Sequence, residues 1–225
     1  MQNAFFITGT DTGVGKTLIS CALLHAFAQR GKSVLGMKPV AAGCVSSAQG
    51  MLCEDVEALR AASSVEAARE WINPYALPAA VAPHLAAQQA HIQIEMAPIL
   101  NAFRQLQTLA DLVIVEGVGG WMVPFNATQT SADLAQQLDL PVIMVVGMRL
   151  GCLNHALLTA QAIQAQGLQL QGWVANRIDP AMPLFDENVQ TLQACLAAPL
   201  LGVIPHNAVP EARSIAKRMD ISLLT

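Results

Sequence analysis

Charge is scarce in this sequence. Asp, Glu, Lys and Arg together make 12% of its 225 residues, about half the usual share for a soluble domain. Disordered chains are charge-rich and poor in apolar residues. With 53% hydrophobic residues this one holds enough material for a large core, and disorder is excluded. Basic charge is the thinner of the two signs. Lys+Arg 12 against Asp+Glu 16 leaves a formal net charge of −4, whereas a nucleic-acid binder shows a basic face or a basic domain. So little surface charge also suggests that some apolar surface is covered, most simply by a second copy of the chain.

Long hydrophobic runs are missing as well. The mean hydropathy of +0.42 raises the question of a membrane, but a spanning helix needs about 20 consecutive apolar residues. The best run, Pro141 to Met148, is far shorter and reads as a buried strand. The first residues, Met1 to Thr8, show neither a basic segment nor a long apolar one and do not read as a signal peptide. Cysteine is sparse: Cys21, Cys44, Cys53, Cys152 and Cys195 form an odd, scattered set without a CxxC pair. That pattern predicts reduced thiols in a cytoplasmic protein rather than a disulfide framework or a zinc site.

What is present is alternation. Strands are predicted at Ala4–Thr8, Ser33–Lys38, Leu112–Glu116, Pro141–Gly147, Gln171–Asn176 and Leu200–Ile204. Each is apolar throughout, as strands buried on both faces of a parallel sheet are. Helices are predicted between them at Lys16–Gln29, Glu54–Ala62, Glu95–Leu109, Ser131–Leu138, Asn154–Gln166 and Phe185–Leu196. The implied fold class is α/β: one doubly wound, mainly parallel sheet flanked by helices, spanning residues 1–225 as a single domain, with ligands at the carboxyl ends of the strands. Between Ser63 and Ile94 the pattern weakens into an Ala- and Pro-rich stretch. Loops of this length are uncommon unless functional, so the stretch is a candidate lid or site wall, the alternative being a loosely packed surface excursion.

The first predicted strand runs into Gly9-Thr10-Asp11-Thr12-Gly13-Val14-Gly15-Lys16-Thr17, and a helix follows at once. Glycines leave backbone N–H groups free to ring a phosphate, the helix N-terminus adds partial positive charge, and a Lys-Thr pair can reach terminal phosphates and Mg²⁺. The usual motif places four residues between its glycines; here Gly9 stands one residue further from Gly15. The remaining charges point to the same place. The chain has four lysines, Lys16, Lys32, Lys38 and Lys217, and Lys38 ends an otherwise apolar strand. Burying an ammonium without a counter-charge is costly, and an anionic ligand beside the phosphate loop would supply one. Glu116 ends the strand Leu112–Glu116 and opens the glycine-rich Gly117-Val118-Gly119-Gly120, which is where an acidic Mg²⁺ ligand stands beside a nucleotide. Asp55, in the first turn of the helix after the loop, offers a second carboxylate, while Glu54 reads as ordinary charge compensation at a helix start.

Two softer signals follow. Asn176-Arg177-Ile178-Asp179 ends a strand with amide and charged groups where a base could be read, with a superficial likeness to the guanine-holding element of GTPases. Gly147 to His155 turns through glycines into a helix and is a second possible anion site. His155 reads as a helix-start residue, and His25, His84 and His91 as structural.

The segments GTDTGVGKT, GMKPVAAG, NPY, VEGVGGW, GMRLGCLNHALLT, GWVAN and PLLGVIP, in this order, resemble the dethiobiotin synthetase family. The likeness runs from Phe5 to about Ile204, and the family's phosphate loop carries the same one-residue extension. The resemblance implies the following reaction. Carbon dioxide, or bicarbonate as its source, adds to one amine of 7,8-diaminopelargonic acid to give a carbamate. ATP phosphorylates the carbamate, the neighbouring amine attacks the mixed anhydride, and dethiobiotin, ADP and phosphate leave. Lys38 would hold the carbamate and Lys16 would bridge it to the γ-phosphate. Thr17, Asp55 and Glu116 would hold Mg²⁺. Thr12, Gly13, Val14, Gly15, Lys16 and Thr17 would wrap the phosphates, while Glu116, Gly117, Val118 and Gly119 would line the nucleotide and the diamine. Asn176 and Arg177, the turn Pro205-His206-Asn207, and Glu211 would read the adenine. Ala42 would sit against the substrate, and backbone N–H groups around Gly151, Cys152 and Asn154 would bind the substrate carboxylate across a homodimer interface.

Two positions and one segment depart from the family pattern. Ala42 stands where the family often has a hydroxyl residue, a hydrogen bond worth about 0.5–1.5 kcal/mol. Asn188 stands where a tyrosine capping the substrate carboxylate is expected, and residues 208–225 align loosely. Among rival readings, a nucleotide switch like the partition ATPases shares the sheet and a related loop but has no use for Lys38. A GTPase rests on the Asn176 segment alone. The glutamine-dependent cobyrinic acid amidating enzymes need a further glutaminase domain, for which this chain is too short.

Overall fold

The computed structural model describes residues 3–48 and 50–224. In chain order it contains β1 (Ala4–Gly9), α1 (Lys16–Ala28), β2 (Val34–Met37), β3 (Val40–Ala42), β4 (Val45–Ser47), β5 (Gly50–Leu52), α2 (Glu54–Ala62), α3 (Arg69–Ile72), β6 (Tyr75–Leu77), α4 (Pro83–Gln89) and α5 (Met96–Leu109). There follow β7 (Leu112–Glu116), α6 (Ser131–Leu138), β8 (Val142–Met148), α7 (Cys152–Ala165), β9 (Leu170–Arg177), α8 (Phe185–Cys195), β10 (Leu200–Ile204) and α9 (Ala212–Ala216), then a 3-10 turn at Ile221–Leu224.

Six strands make one parallel sheet in the order β10-β9-β8-β1-β7-β2. Its middle strands are buried end to end because helices cover both faces. Successive residues of β1 serve opposite cores, as the two-residue period of a strand requires. Phe5 stacks on Phe27 of α1 at a centroid distance of 6.0 Å. Phe6 points the other way and meets Trp121 edge-on at 6.1 Å. The chain leaves β1 towards β2 on one side and reaches β8 from β7 on the other, so the strand order reverses at β1. That reversal opens the crevice at the carboxyl ends of β1 and β7, where doubly wound sheets bind ligands. The predicted strands and helices of the central sheet are found within a few residues of their expected ends; the largest shift is at α7, which begins at Cys152.

Two small pairings had no signature in the sequence: β3 with β6, parallel, and the hairpin of β4 with β5. The hairpin also corrects the expectation of reduced thiols. Cys44 and Cys53 are joined by a disulfide, with their Cα atoms 4.5 Å apart, whereas Cys21, Cys152 and Cys195 are free. A hairpin that folds back on itself brings its flanks together, so a spacing of nine residues forms a pair that no short cysteine motif reveals. Among the described residues no helix is long and apolar enough to cross a membrane.

Candidate functional site

The site begins where β1 runs out. The loop from Gly9 to Gly15 curls over the end of the sheet, tied down by the Thr10 N–H to Val145 O at 3.0 Å. Gly15 is the N-cap of α1 at φ +88°, in the left-handed region that glycine enters without a Cβ penalty. A Cβ there would stand 2.3 Å from Asn176 Nδ2. That amide donates to Val14 O at 2.8 Å, so the end of β9 presses on the loop and leaves room for glycine alone. The Asp11 carboxylate braces the loop's outer side, accepting from the Thr12 N–H at 2.7 Å and pairing with Arg149 at 2.6 Å.

Four charges and a hydroxyl meet beneath this loop. Lys16 Nζ donates to Gly119 O at 2.5 Å and to Asp11 O at 3.2 Å. Burial, with the Lys38 charge second, lowers its pKa to about 8. Lys38 Nζ lies 2.6 Å from Glu116 Oε1, 2.8 Å from Asp55 Oδ2 and 3.2 Å from Gly117 O. Lys38 is 3% exposed and Glu116 0%, so this is a buried ion pair, in which removing one partner leaves an uncompensated charge. Burial pulls the Lys38 pKa down, but Glu116 and Asp55 outweigh it and leave it above the ordinary lysine value. Burial likewise pushes Asp55 up, and the Lys38 charge with hydrogen bonds from Lys38 and Thr17 brings it below the ordinary carboxylate value. The sequence places Lys38 beside the phosphate loop; the sheet order inserts β7 between β2 and β1. The lysine meets the site by reaching across the end of β7, which is why its counter-charge is the last residue of that strand.

The same geometry bears on a metal. Thr17 Oγ1 stands 2.8 Å from both Asp55 Oδ1 and Glu116 Oε1, yet a hydroxyl has one proton and can donate to one of them at a time. Glu116 Oε2 is buried without a partner. Three oxygens crowded together with an unpartnered carboxylate oxygen suit a hard cation such as Mg²⁺, which uses one or two carboxylates and completes its shell with water and substrate oxygens. No larger cluster of His, Cys, Asp and Glu able to hold a metal exists among the described residues.

Loop and charges form the floor of a cavity of about 860 Å³. Its other wall is apolar: Ala42, Ala80 to Pro83, Val118 and Met122 to Pro124. The Ala- and Pro-rich stretch thus supplies a wall of the cavity. The remaining candidates stand apart from it. Arg177 turns away, its guanidinium 4.8 Å over the Phe185 ring and donating to Pro180 O at 3.0 Å. Pro205, His206 and Asn207 are exposed. Asn207 accepts from the Val209 N–H at 3.0 Å, and Glu211 accepts from Ser214 Oγ at 2.6 Å. Gly151, at φ +94°, is the N-cap of α7; Cys152 is buried and Asn154 exposed. Sequence reasoning missed the brace between Asp11 and Arg149, although Arg149 lies inside the GMRLGC segment. It also gave no role to Asn73, quoted only as part of NPY.

Comparison with known proteins supports a family assignment. Residues 3–213 match the family model described as "AAA domain". The chain is 54% identical over 222 residues to the "ATP-dependent dethiobiotin synthetase BioD" of Nitrosospira multiformis, covering 99% of this chain and 96% of that one. It is 54% identical to the protein of the same description from Aromatoleum aromaticum, covering 97% of each. Among solved structures it is similar to the septum site-determining protein MinD of Pyrococcus horikoshii, complexed with Mg-ADP. That likeness has a TM-score of 0.57 at 18% identity and covers 96% of this chain and 86% of that one; at such identity it speaks for the fold alone.

Proposed function

The chain belongs to the ATP-dependent dethiobiotin synthetase family, and from that premise we propose how its residues divide the work of the reaction. The enzyme is an ATP-dependent cyclo-ligase of biotin biosynthesis, converting 7,8-diaminopelargonic acid and carbon dioxide to dethiobiotin with release of ADP and phosphate. The switch-like alternative loses its ground: the relatives at 54% identity over nearly the whole chain are synthetases.

One observation carries the assignment of roles: the buried meeting of Lys38, Glu116, Asp55 and Thr17 under the phosphate loop. Residues Thr12 to Thr17 offer backbone N–H groups and a helix N-terminus to the phosphates of ATP. Lys16, at the neck of the loop, is set to hold the γ-phosphoryl group as it moves. Lys38 holds the carbamate, an anion that would take over part of the counter-charge now given by two carboxylates. Thr17, Asp55 and Glu116 supply the oxygens for Mg²⁺, which when bound offsets the negative charge of the phosphates. The carbamate oxygen attacks the γ-phosphorus and ADP leaves. The second amine then adds to the carbamoyl carbon, the bond from that carbon to the phosphate oxygen breaks, and the ring closes with loss of a proton and inorganic phosphate. No residue needs to bond covalently to the substrate. Fixed positive charge and alignment supply the rate, as expected of phosphoryl transfer.

The apolar wall, Ala42 included, packs against the methylene chain of the diamine. The turn at Gly151, Cys152 and Asn154 receives the substrate carboxylate at a homodimer interface. Leu150, at 90% exposure beside that turn, is the kind of side chain a second copy would cover. Asn176, Arg177, Pro205 to Asn207 and Glu211 form the adenine end. We place the enzyme in the cytoplasm and take residues 1–225 as one domain built around this site.

The test is phosphate release from ATP and Mg²⁺ with bicarbonate, with and without the diamine, together with mass spectrometry for dethiobiotin. Diamine-dependent release matched one-to-one by product is expected. Diamine-independent hydrolysis without product would overturn the reading.

A further inference from the structure

We propose that Asn73 is a positioning residue that sets the aim of Lys38 through its backbone; the inference rests on the reading that Lys38 holds the carbamate. Lys38 stands just beyond the sheet. The ladder of β2 with β7 ends at Met37 opposite Val115, and the residue after Lys38 is Pro39, which has no N–H to give. The backbone groups of Lys38 therefore find their partners elsewhere, and both come from one segment. Its N–H donates to Ile72 O at 2.8 Å. Its carbonyl accepts from Asn73 Nδ2 at 2.6 Å.

Asn73 is built for this task. It is 8% exposed and caps the carboxyl end of the four-residue helix α3, held there by its own N–H to Arg69 O at 2.8 Å. Its amide nitrogen also donates to Tyr75 O at 3.1 Å. Two carbonyls facing one amide fix which end of the side chain is nitrogen and use both of its protons. Beyond this point the chain continues as β3, where Val40 pairs with Tyr75. The Asn73 amide thus clamps the joint at which the chain leaves the central sheet for the apolar wall of the cavity. Asn73 does not line that cavity, and its side chain bonds to the backbone of Lys38 and Tyr75 rather than to Glu116 or Asp55, so its most direct route to the chemistry is through Lys38. A group carried on four methylenes amplifies small rotations at its own backbone, and displacement of a reacting partner by about 1 Å costs on the order of 10²-fold in rate.

The chemistry of the amide predicts a rank order. Asn73→Asp keeps the shape but turns a double donor into an acceptor facing two carbonyls. Asn73→Ala removes both donated bonds, the one to Lys38 O included, and Asn73→Ser keeps one donor. Tyr75→Phe is the control: it removes the hydroxyl bonds to Glu95 from the same segment and leaves Lys38 alone. For each variant kcat and KM for dethiobiotin formation would be measured with ADP affinity and the thermal midpoint, beside Lys38→Ala. We expect kcat to fall at least tenfold in Asn73→Ala, more in Asn73→Asp and less in Asn73→Ser, with ADP affinity within twofold and Tyr75→Phe retaining its kcat. If the alanine and aspartate variants do not accumulate as folded protein, the serine variant carries the test. An unchanged kcat in the Asn73 variants beside an inactive Lys38→Ala overturns this inference alone. An equal loss in Tyr75→Phe also overturns it, since loosening of the segment would then be the cause. Full turnover in Lys38→Ala overturns the role of Lys38 and this inference with it.

Discussion

The two ends of the site are made differently. Under the phosphate loop the charges are set against one another by the protein itself: Lys38 Nζ and Thr17 Oγ1 each lie within 2.8 Å of an oxygen of Glu116 and one of Asp55, and Lys38 and Glu116 are buried. At the proposed adenine end, Pro205, His206, Asn207 and Glu211 are exposed, and Asn207 and Glu211 are bonded locally. The first end is assembled before any ligand arrives, so its geometry is part of the fold and errors in it are expensive. The second is left to be completed by what binds. A site that must hold developing charge in place needs the first kind of construction; one that has only to accept a flat base tolerates the second.

Substitutions can break or sharpen this contrast. Lys16→Ala should have the largest effect, a loss of roughly 10³-fold in turnover with a large loss of nucleotide affinity, because Lys16 belongs to the loop proposed to hold the phosphates. Steady-state kinetics with equilibrium ADP binding would check both. Glu116→Gln removes a charged partner of Lys38 and a proposed metal oxygen while keeping the shape. The Mg²⁺ concentration for half-maximal rate should rise about 10–100-fold, the worth of a hydrogen bond to a charged group, and an unchanged Mg²⁺ dependence would take Glu116 out of the metal site. Cys44→Ser opens the bond that closes the hairpin before Asp55. About 2–3 kcal/mol of stability should go with it, lowering the melting temperature by about 5–10 °C. Thiol titration of the denatured protein should rise from three to four free groups, given three in the intact chain. Asn207→Ala, at the exposed end, should change KM for ATP by less than about threefold, the size of an ordinary surface substitution. A tenfold change there would mean that the adenine end is as tightly specified as the phosphate end.

Most of the central sheet was legible because its strands are short, apolar and separated by helical runs, a pattern that depends on neighbours in sequence. The phosphate loop was legible because its glycines, lysine and threonine are contiguous. What stayed hidden depends on residues far apart. The β3–β6 pair is three residues long on each side, too short for any periodicity to stand out. The bond between Cys44 and Cys53 needs a hairpin that no turn signal announced. Lys38 and Glu116 were each singled out as a charge ending an apolar strand, but their direct pairing follows from the sheet order, which puts β7 beside β2. Asn73 had only its place in NPY to recommend it, and its role is visible once the carbonyl it serves is seen to be that of Lys38.

The central claim is that Lys38 serves the carbamate and the phosphate loop serves the nucleotide, as neighbours with separate duties. The most direct test is Lys38→Ala, assayed for dethiobiotin formation and for ADP binding in the same preparation. The account predicts that ring closure falls at least 100-fold, the scale of losing one preorganised electrostatic partner, while ADP affinity stays within about threefold. An equal loss of both would make Lys38 a nucleotide residue and contradict the division.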